Sequence, residues 1–308
     1  MKEVAIAGGT GFIGSRLANS LKNSNYDVKL IPSKILRMKG VGARTFGIDF
    51  KDHDYKLVSE FIDGSYALIN LAGEPLCETW KSDTRSRIYS SRVDLTHLLV
   101  NAISYCHERP ELFINTSSTE YYGNKGDKII KESSPPGATF LSRVFSEMEK
   151  QSFIPNINNL NVILVRPGSV IGSPSWIFRL ICQLVKKGIK PIYGSSRRWF
   201  SWISIDDLIN AYKFILENSF ENKIINLVSE KPIDKGSLFQ FLSLLLDSPL
   251  FQEVTKRYGA LFRDERDRIA MFSSQRIKSS LLTKYGFKTA KNDLFKEITS
   301  SIKLINQY

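Results

Sequence analysis

Apolar and polar positions alternate along this chain in two rhythms. Short runs rich in aliphatic residues, at Glu3–Ala7, Val28–Ile31, Ala43–Ile48, Tyr66–Leu71, Leu112–Thr116, Val162–Val165 and Ile224–Val228, mostly lie between Gly, Pro, Asn or Asp. Such runs, bounded by turn residues, predict strands. Between them apolar residues recur every three or four positions. Phe12–Lys22 carries Phe12, Ile13, Leu17 and Leu21 on one stripe, and Thr84–Tyr105 carries Ile88, Leu95, Leu98, Leu99, Ala102 and Ile103. That period predicts helices. Nearly continuous apolar strands alternating with helices predict an α/β fold, a doubly wound parallel sheet covered on both faces.

After about Val228 the rhythm is helical, at Ser237–Leu246, Gln275–Tyr285 and Asp293–Ile305. The last segment sets Leu294, Phe295, Ile298, Ile302 and Ile305 on one stripe. The expected division is a sheet domain over residues 1–230, with an insertion at about 170–200, and a small C-terminal, mainly helical lobe over 231–308 that closes on the strand ends. No internal repeat or low-complexity segment interrupts the pattern.

Composition narrows the class. The chain has 308 residues, 42% hydrophobic and 24% charged, which excludes a disordered chain and a small disulfide-stapled module. Lys and Arg number 43 against 31 Asp and Glu, a net charge of +12. The excess suits an anionic partner, or is a solvated basic surface. Cys77, Cys106 and Cys182 form no CxxC pair, and His53, His97 and His107 show no ligand spacing. Neither a metal site nor a redox dithiol is indicated, and a reducing compartment is expected. No apolar run reaches the ~20 residues of a spanning helix. Met1–Ala7 leads straight into the first strand. The expectation is a cytoplasmic protein, or a mitochondrial or plastid one numbered after loss of a transit peptide.

The sharpest chemical signal is Ala7-Gly8-Gly9-Thr10-Gly11-Phe12-Ile13-Gly14, between the first strand and the first helix. Gly8 permits the tight turn, Gly11 lets backbone approach a pyrophosphate, and Gly14 lets helix pack on strand. The free N–H groups of the helix start hold phosphate. This is a Rossmann-type dinucleotide loop, and Gly8, Thr10, Gly11, Phe12, Ile13 and Gly14 are its contacts. After the second strand an acid would select NAD(H). Here Ile31-Pro32-Ser33-Lys34 is followed by Arg37. Ser33 and Lys34, with Arg37 beside them, suit the 2′-phosphate of NADP(H); NAD(H) is the alternative.

Further motifs extend the pattern: Asn70-Leu71-Ala72-Gly73-Glu74-Pro75, Trp80, Ser91-Arg92-Val93, Ser117-Ser118-Thr119-Glu120-Tyr121-Tyr122-Gly123, Arg166-Pro167-Gly168, Trp199–Leu208 and Ser274-Gln275-Arg276. On these the chain resembles the extended short-chain dehydrogenase/reductase superfamily. Within it, the chain is similar to the epimerase/dehydratase-like family often labelled SulA-type cell-division inhibitor. The resemblance implies that Asn70, Ala72 and Gly73 line the cofactor, that Asp49 lies at the adenine and Pro167 at the nicotinamide end. It also implies that Ser118 matches the superfamily's catalytic Ser/Thr. The superfamily's acid/base is a Tyr with a Lys four residues later on one helix. Counting back from Glu149, those positions are Leu141 and Phe145, and neither moves a proton. Glu120 is then the candidate base, and Tyr122 is a substitute acid or a packed ring. Arg166 reaches an anionic ligand or forms an internal ion pair. Trp202, Asp206 and Asp207 are expected at the lobe interface, and Ser204 stands where relatives often carry His.

Three functions compete. The first is an NADP(H)-dependent oxidoreductase or epimerase of atypical or reduced activity, acting on a small, sugar-like or anionic substrate. The second is a nucleotide-binding pseudoenzyme, a structural or regulatory subunit with protein partners. The third is nucleic-acid or anionic-lipid binding through Lys186, Lys187, Lys190, Arg197 and Arg198, interleaved with Tyr193, Trp199 and Phe200. No nucleic-acid fold motif supports the third.

Overall fold

The computed structural model describes residues 1–31, 52–76, 79–153, 157, 160–172, 176–192, 197–218, 220, 223–249, 252–255 and 264–305. Ser33, Lys34, Arg37, Asp49, Cys77, Tyr193 and the Ala43–Ile48 strand lie outside these residues.

Among the described residues six strands form the central sheet: β1 (Lys2–Ala7), β2 (Tyr26–Ile31), β3 (Ala67–Asn70), β4 (Leu112–Thr116), β6 (Asn161–Pro167) and β11 (Lys223–Leu227). Their order is β11-β6-β4-β3-β1-β2, and every pairing is parallel. Val4–Ala7, Ala67–Ile69 and Phe113–Ile114 are buried on both faces, which is why these strands read as continuous apolar runs. The strand order reverses between β1 and β3, so the crevice for a ligand opens beyond Ala7 and Asn70, which pair in register.

Helices cover both faces. Leu17, Ala18 and Leu21 of α1 (Phe12–Lys22) share one core layer with Leu208, Tyr212 and Ile215 of Ile205–Glu217. On the other face lie Val58 and Ile62 of α2 (Asp52–Ile62). The predicted helix Thr84–Tyr105 is two helices, α3 (Ser82–Ser90) and α4 (Val93–Tyr105). The break has a local cause: the Ser91 hydroxyl turns back to the Ile88 carbonyl at 3.2 Å and accepts the Glu74 N–H at 2.9 Å. The hydrophobic period runs through the break unchanged, so the sequence pattern hides it. α5 (Phe140–Gln151) follows, N-capped by Thr139, whose Oγ1 accepts from the Ser142 N–H at 3.1 Å.

Short pairs build the lobe. They are β5 (Ile129–Ile130) with β14 (Arg276–Ile277), β7 (Ser169–Ile171) with β10 (Trp202–Ser204), β8 (Ile189–Ile192) with β13 (Gln252–Thr255), and β9 (Trp199–Phe200) with β12 (Ile233–Asp234). Around them lie α6 (Trp176–Lys186), α7 (Ile205–Glu217), α8 (Lys235–Leu245), α9 (Glu265–Phe272), α10 (Ser280–Lys284) and α11 (Leu294–Ile305). Ile181, Phe239, Met271 and Ile298 join Leu141 and Phe145 of α5 in one core, so the lobe is packed onto the sheet domain. The expected helix Gln275–Tyr285 begins as a strand instead, because Arg276–Ile277 pairs with Ile129–Ile130. Leu282 of α10 is buried in the core beside the sheet rather than among the lobe helices. No helix among the described residues is long and apolar enough to cross a membrane.

Candidate functional site

The glycine loop leaves β1 at the point where the strand order reverses. Gly8 has φ +78°, and a Cβ there would stand 2.6 Å from the Ala72 backbone N. A side chain at Gly14 would meet the Gly8 carbonyl at 2.3 Å. Only glycine lets the loop, the helix and the end of β3 close on one another. The Gly11 N–H is taken by the Gly8 carbonyl at 3.0 Å. The N-cap of α1 is Gly11, with no capping side chain and no acid in the first turn. The N–H groups of Phe12, Ile13 and Gly14 have no partner within the helix, and Thr10 and Gly11 are exposed beside them. The residues therefore fit a diphosphate at the positive end of the helix dipole.

The other wall is the turn Leu71–Gly73. Asn70, expected to line a nucleotide, is buried and turned inward. Its Nδ2 donates to Asn115 Oδ1 at 2.9 Å, while its Oδ1 accepts the Ala72 N–H at 3.1 Å. Asn115 donates in turn to Thr96 and Ser152. Asn70 thus holds the turn that presents Ala72 and Gly73, both partly exposed. At the end of β6, Pro167 is buried. A Cβ at Gly168 would meet the Ser201 carbonyl at 2.9 Å, so the chain there lies tight against the lobe.

Beyond β4, residues Thr119–Tyr122 form one 3-10 turn. Ser118 caps it, its Oγ accepting the Glu120 N–H at 3.2 Å, and stays partly exposed. Glu120 is 7% exposed, and its carboxyl receives no hydrogen bond from a described residue. Burial pushes its pKa up to about 7, with the Lys235 charge working the other way. A proton on this carboxyl is thus poised to come and go near neutral pH.

Tyr122 is different. Its ring is fully buried, and its hydroxyl accepts from Arg166 Nη1 and donates to Asn226 Oδ1, both at 2.7 Å. Burial pushes the phenol up to about 12, although Arg166 opposes the shift. Both hydroxyl roles are taken inside the fold.

Arg166 forms an internal ion pair. Its Nη2 and Nε donate to the two Glu149 carboxylate oxygens at 2.6 and 2.8 Å, and Ser117 Oγ donates to Oε1 at 2.5 Å. The guanidinium also lies 3.6 Å from the Tyr121 ring centre. Burial opposes its charge, but the Glu149 carboxylate outweighs burial and raises the pKa. Glu149 therefore ties α5 to β6. On the same helix Leu141 and Phe145 are buried, and exposed Arg143 donates to the Ala138 carbonyl at 2.8 Å.

Sequence reasoning missed how the lobe grips this turn. Gln275 Nε2 donates to the Thr119 and Gly123 carbonyls at 3.1 and 3.3 Å, on either side of Glu120. Lys235 at the head of α8 is 1% exposed and donates to the carbonyls of Ile269 and Ala270 and to Ser273 Oγ. Burial pulls its pKa down to about 7 against the attraction of Glu120. The Ser-Gln-Arg motif marked Gln275, but nothing local marked Lys235. Ser204 N-caps α7 through the Asp207 N–H at 3.0 Å. The Asp207 carboxylate holds the N–H groups of Ala290 and Lys291 at 2.8 and 2.9 Å. Trp202 is buried and donates to the Lys231 carbonyl at 3.0 Å.

Comparison with known proteins agrees with this architecture. The pattern of the NAD dependent epimerase/dehydratase family matches residues 4–227. "Epimerase family protein SDR39U1 homolog, chloroplastic" of Arabidopsis thaliana is 30% identical over 80% of this chain and 71% of its own length. Mouse epimerase family protein SDR39U1 is 27% identical over 97% of this chain and 98% of its own. Among solved structures, human SDR39U1 with NADPH superposes with a TM-score of 0.78 at 21% identity, covering 98% of this chain and 99% of that one. MoeE5 with UDP-glucuronic acid and NAD gives 0.73 at 17% identity, covering 99% of both chains.

Proposed function

This chain belongs to the NAD dependent epimerase/dehydratase family, and from that premise we propose that it binds NADP(H) and works without the tyrosine–lysine pair of its superfamily. The observation that carries the nucleotide is the cradle of Gly8, Gly14 and the uncapped start of α1, closed against Ala72. The NADPH in human SDR39U1 supports the choice of cofactor. In this reading Ser33 and Lys34, with Arg37, take the 2′-phosphate, Asp49 lies at the adenine, and Pro167 backs the nicotinamide end. Residues 1–230 carry the nucleotide, and 231–308 close over the substrate. A bound nicotinamide would accept and return hydride. Ser118 Oγ donates to a substrate oxygen, and Glu120 holds or takes the proton. Leu141 and Phe145 stand where the pair would be, so turnover is slow or unusual.

The burial of Leu141 and Phe145 also favours a second reading, a pseudoenzyme that keeps the nucleotide as part of its structure within a larger assembly. Two measurements separate them. Calorimetry should give tighter binding of NADPH than of NADH, with the preference lost in Lys34→Ala. A lost charge-assisted contact is about 1.5–3 kcal/mol. Equal affinity for both cofactors, unaffected by that substitution, rejects the NADP(H) assignment. Single-turnover hydride transfer from NADPH across carbonyl and sugar-nucleotide substrates then tests chemistry. Transfer abolished by Ser118→Ala supports the enzyme, and none with any substrate supports the pseudoenzyme.

A further inference from the structure

Arg92 is half-buried at the crevice wall, and no described carboxylate pairs with it. It precedes α4, and its guanidinium lies against Gly73: a Cβ on that glycine would be 3.2 Å from both Cζ and Nη2. On another side stands the Phe145 ring, 5.5 Å from Cζ. Nη2 donates to the Glu74 carbonyl at 2.9 Å, and Nη1 donates to the Ile88 carbonyl at 3.3 Å and Ser91 Oγ at 3.2 Å. A guanidinium carries five N–H donors. The Nε–H and one Nη2–H are therefore left without a partner among the described residues. The carboxylate nearby, Glu74, is already paired with Arg87 at 3.1 Å. Arg87, Arg166 and Arg266 by contrast each hold a carboxylate. Arg92 holds only neutral oxygens, and burial pulls its pKa down to about 10, which still leaves it charged at neutral pH.

A half-buried cation that holds only neutral oxygens has its charge free for an anionic ligand. The Nε–H and the remaining Nη2–H are donors of the kind that bind the oxygens of a carboxylate or phosphate. The diphosphate of a dinucleotide has its own site at the start of α1, on the Gly8 side of Ala72, whereas Arg92 lies on the Gly73 side. On the reading that this crevice holds a dinucleotide and a small substrate, we propose that Arg92 is the oxyanion-binding residue for the substrate, receiving its carboxylate or phosphate group.

The test uses the whole chain saturated with NADP+. Inorganic phosphate and malonate are titrated in turn, following the side-chain N–H resonance of Arg92 Nε, assigned by its disappearance in Arg92→Lys. A saturable shift is expected with at least one anion. Anion affinity, read by calorimetry, should fall about tenfold or more in Arg92→Gln. NADP+ affinity should stay within about twofold of wild type in that variant, since no cofactor contact is removed. The proposal is overturned if neither anion moves the resonance, or if Arg92→Gln binds both anions as wild type does. A tenfold loss of NADP+ affinity in Arg92→Gln also overturns it, because the guanidinium then serves the cofactor's diphosphate. Should Arg92→Gln not fold, the wild-type resonance titration decides alone. Failure of the wild type to bind NADP+ at all defeats the dinucleotide reading itself, a result distinct from normal NADP+ binding with no anion site.

Discussion

Replacing Tyr122 by Phe removes a single oxygen and keeps a ring that is 0% exposed, packed with Ile130, Val228 and Ile277. That oxygen accepts a charge-assisted hydrogen bond from Arg166 and donates a neutral one to Asn226, each at 2.7 Å. The first kind is worth about 1.5–3 kcal/mol and the second about 0.5–1.5. Arg166 keeps both bonds to Glu149 and one to the Glu132 carbonyl, so its loss falls at the lower end. Asn226 Oδ1 is left buried without its donor. The expected destabilisation is about 2–3 kcal/mol. At about 2 °C per kcal/mol for a chain of this size, the melting temperature should drop by about 4–6 °C. Urea unfolding should show a lower midpoint with an unchanged slope, and NADPH affinity should match the wild type. A melting temperature within about 1 °C of wild type would refute the energetic role. A tenfold loss of hydride transfer in a variant of native stability would give the hydroxyl a part in the chemistry instead.

Glu149→Gln should cost about 3–5 kcal/mol, because it leaves the Arg166 guanidinium buried without its counter-charge; a loss below about 1 kcal/mol in urea unfolding would contradict the pairing described. Gly8→Ala forces a side chain into a φ of +78° and within 2.6 Å of Ala72 N, and calorimetry should show NADPH binding weakened about tenfold or more. Unchanged binding would detach the glycine loop from the nucleotide. Glu120→Gln isolates a pH effect. The folded carboxyl keeps its proton up to about pH 7, above its usual 4.5, so wild-type stability from this group is full below pH 4.5 and is lost as pH rises through 7. The variant lacks that loss and should gain on the wild type by up to about 3 kcal/mol between those limits. Lys235 contributes in the opposite sense above pH 7, because burial lowers its folded pKa from 10.5 to about 7, and losing the attraction of Glu120 deepens that lowering in the variant. A stability difference between variant and wild type that stays flat from pH 4.5 to 8 would remove Glu120 from this account.

Local chemistry was legible in the sequence. The alternation of buried strands and helices, the glycine spacing after β1 and the tight crossing at Gly14 depend on residues near one another, so their pattern declared the doubly wound sheet and the place of the nucleotide loop. Burial and partner choice were not legible, because they depend on residues far apart along the chain. Arg166 read equally as a ligand contact or an ion pair until the fold brought Glu149 to 2.6 Å. Asn70 looked like a crevice residue until Asn115 of the neighbouring strand took its amide. The strand at Arg276–Ile277 owes its form to Ile129–Ile130 rather than to its own period. The sequence marked Glu120 as a candidate base by its motif, but Lys235 reads there as an ordinary surface-type residue. Only their enclosure by the lobe, where charge is poorly solvated, brings both pKa values toward neutrality and gives the carboxyl a proton to exchange.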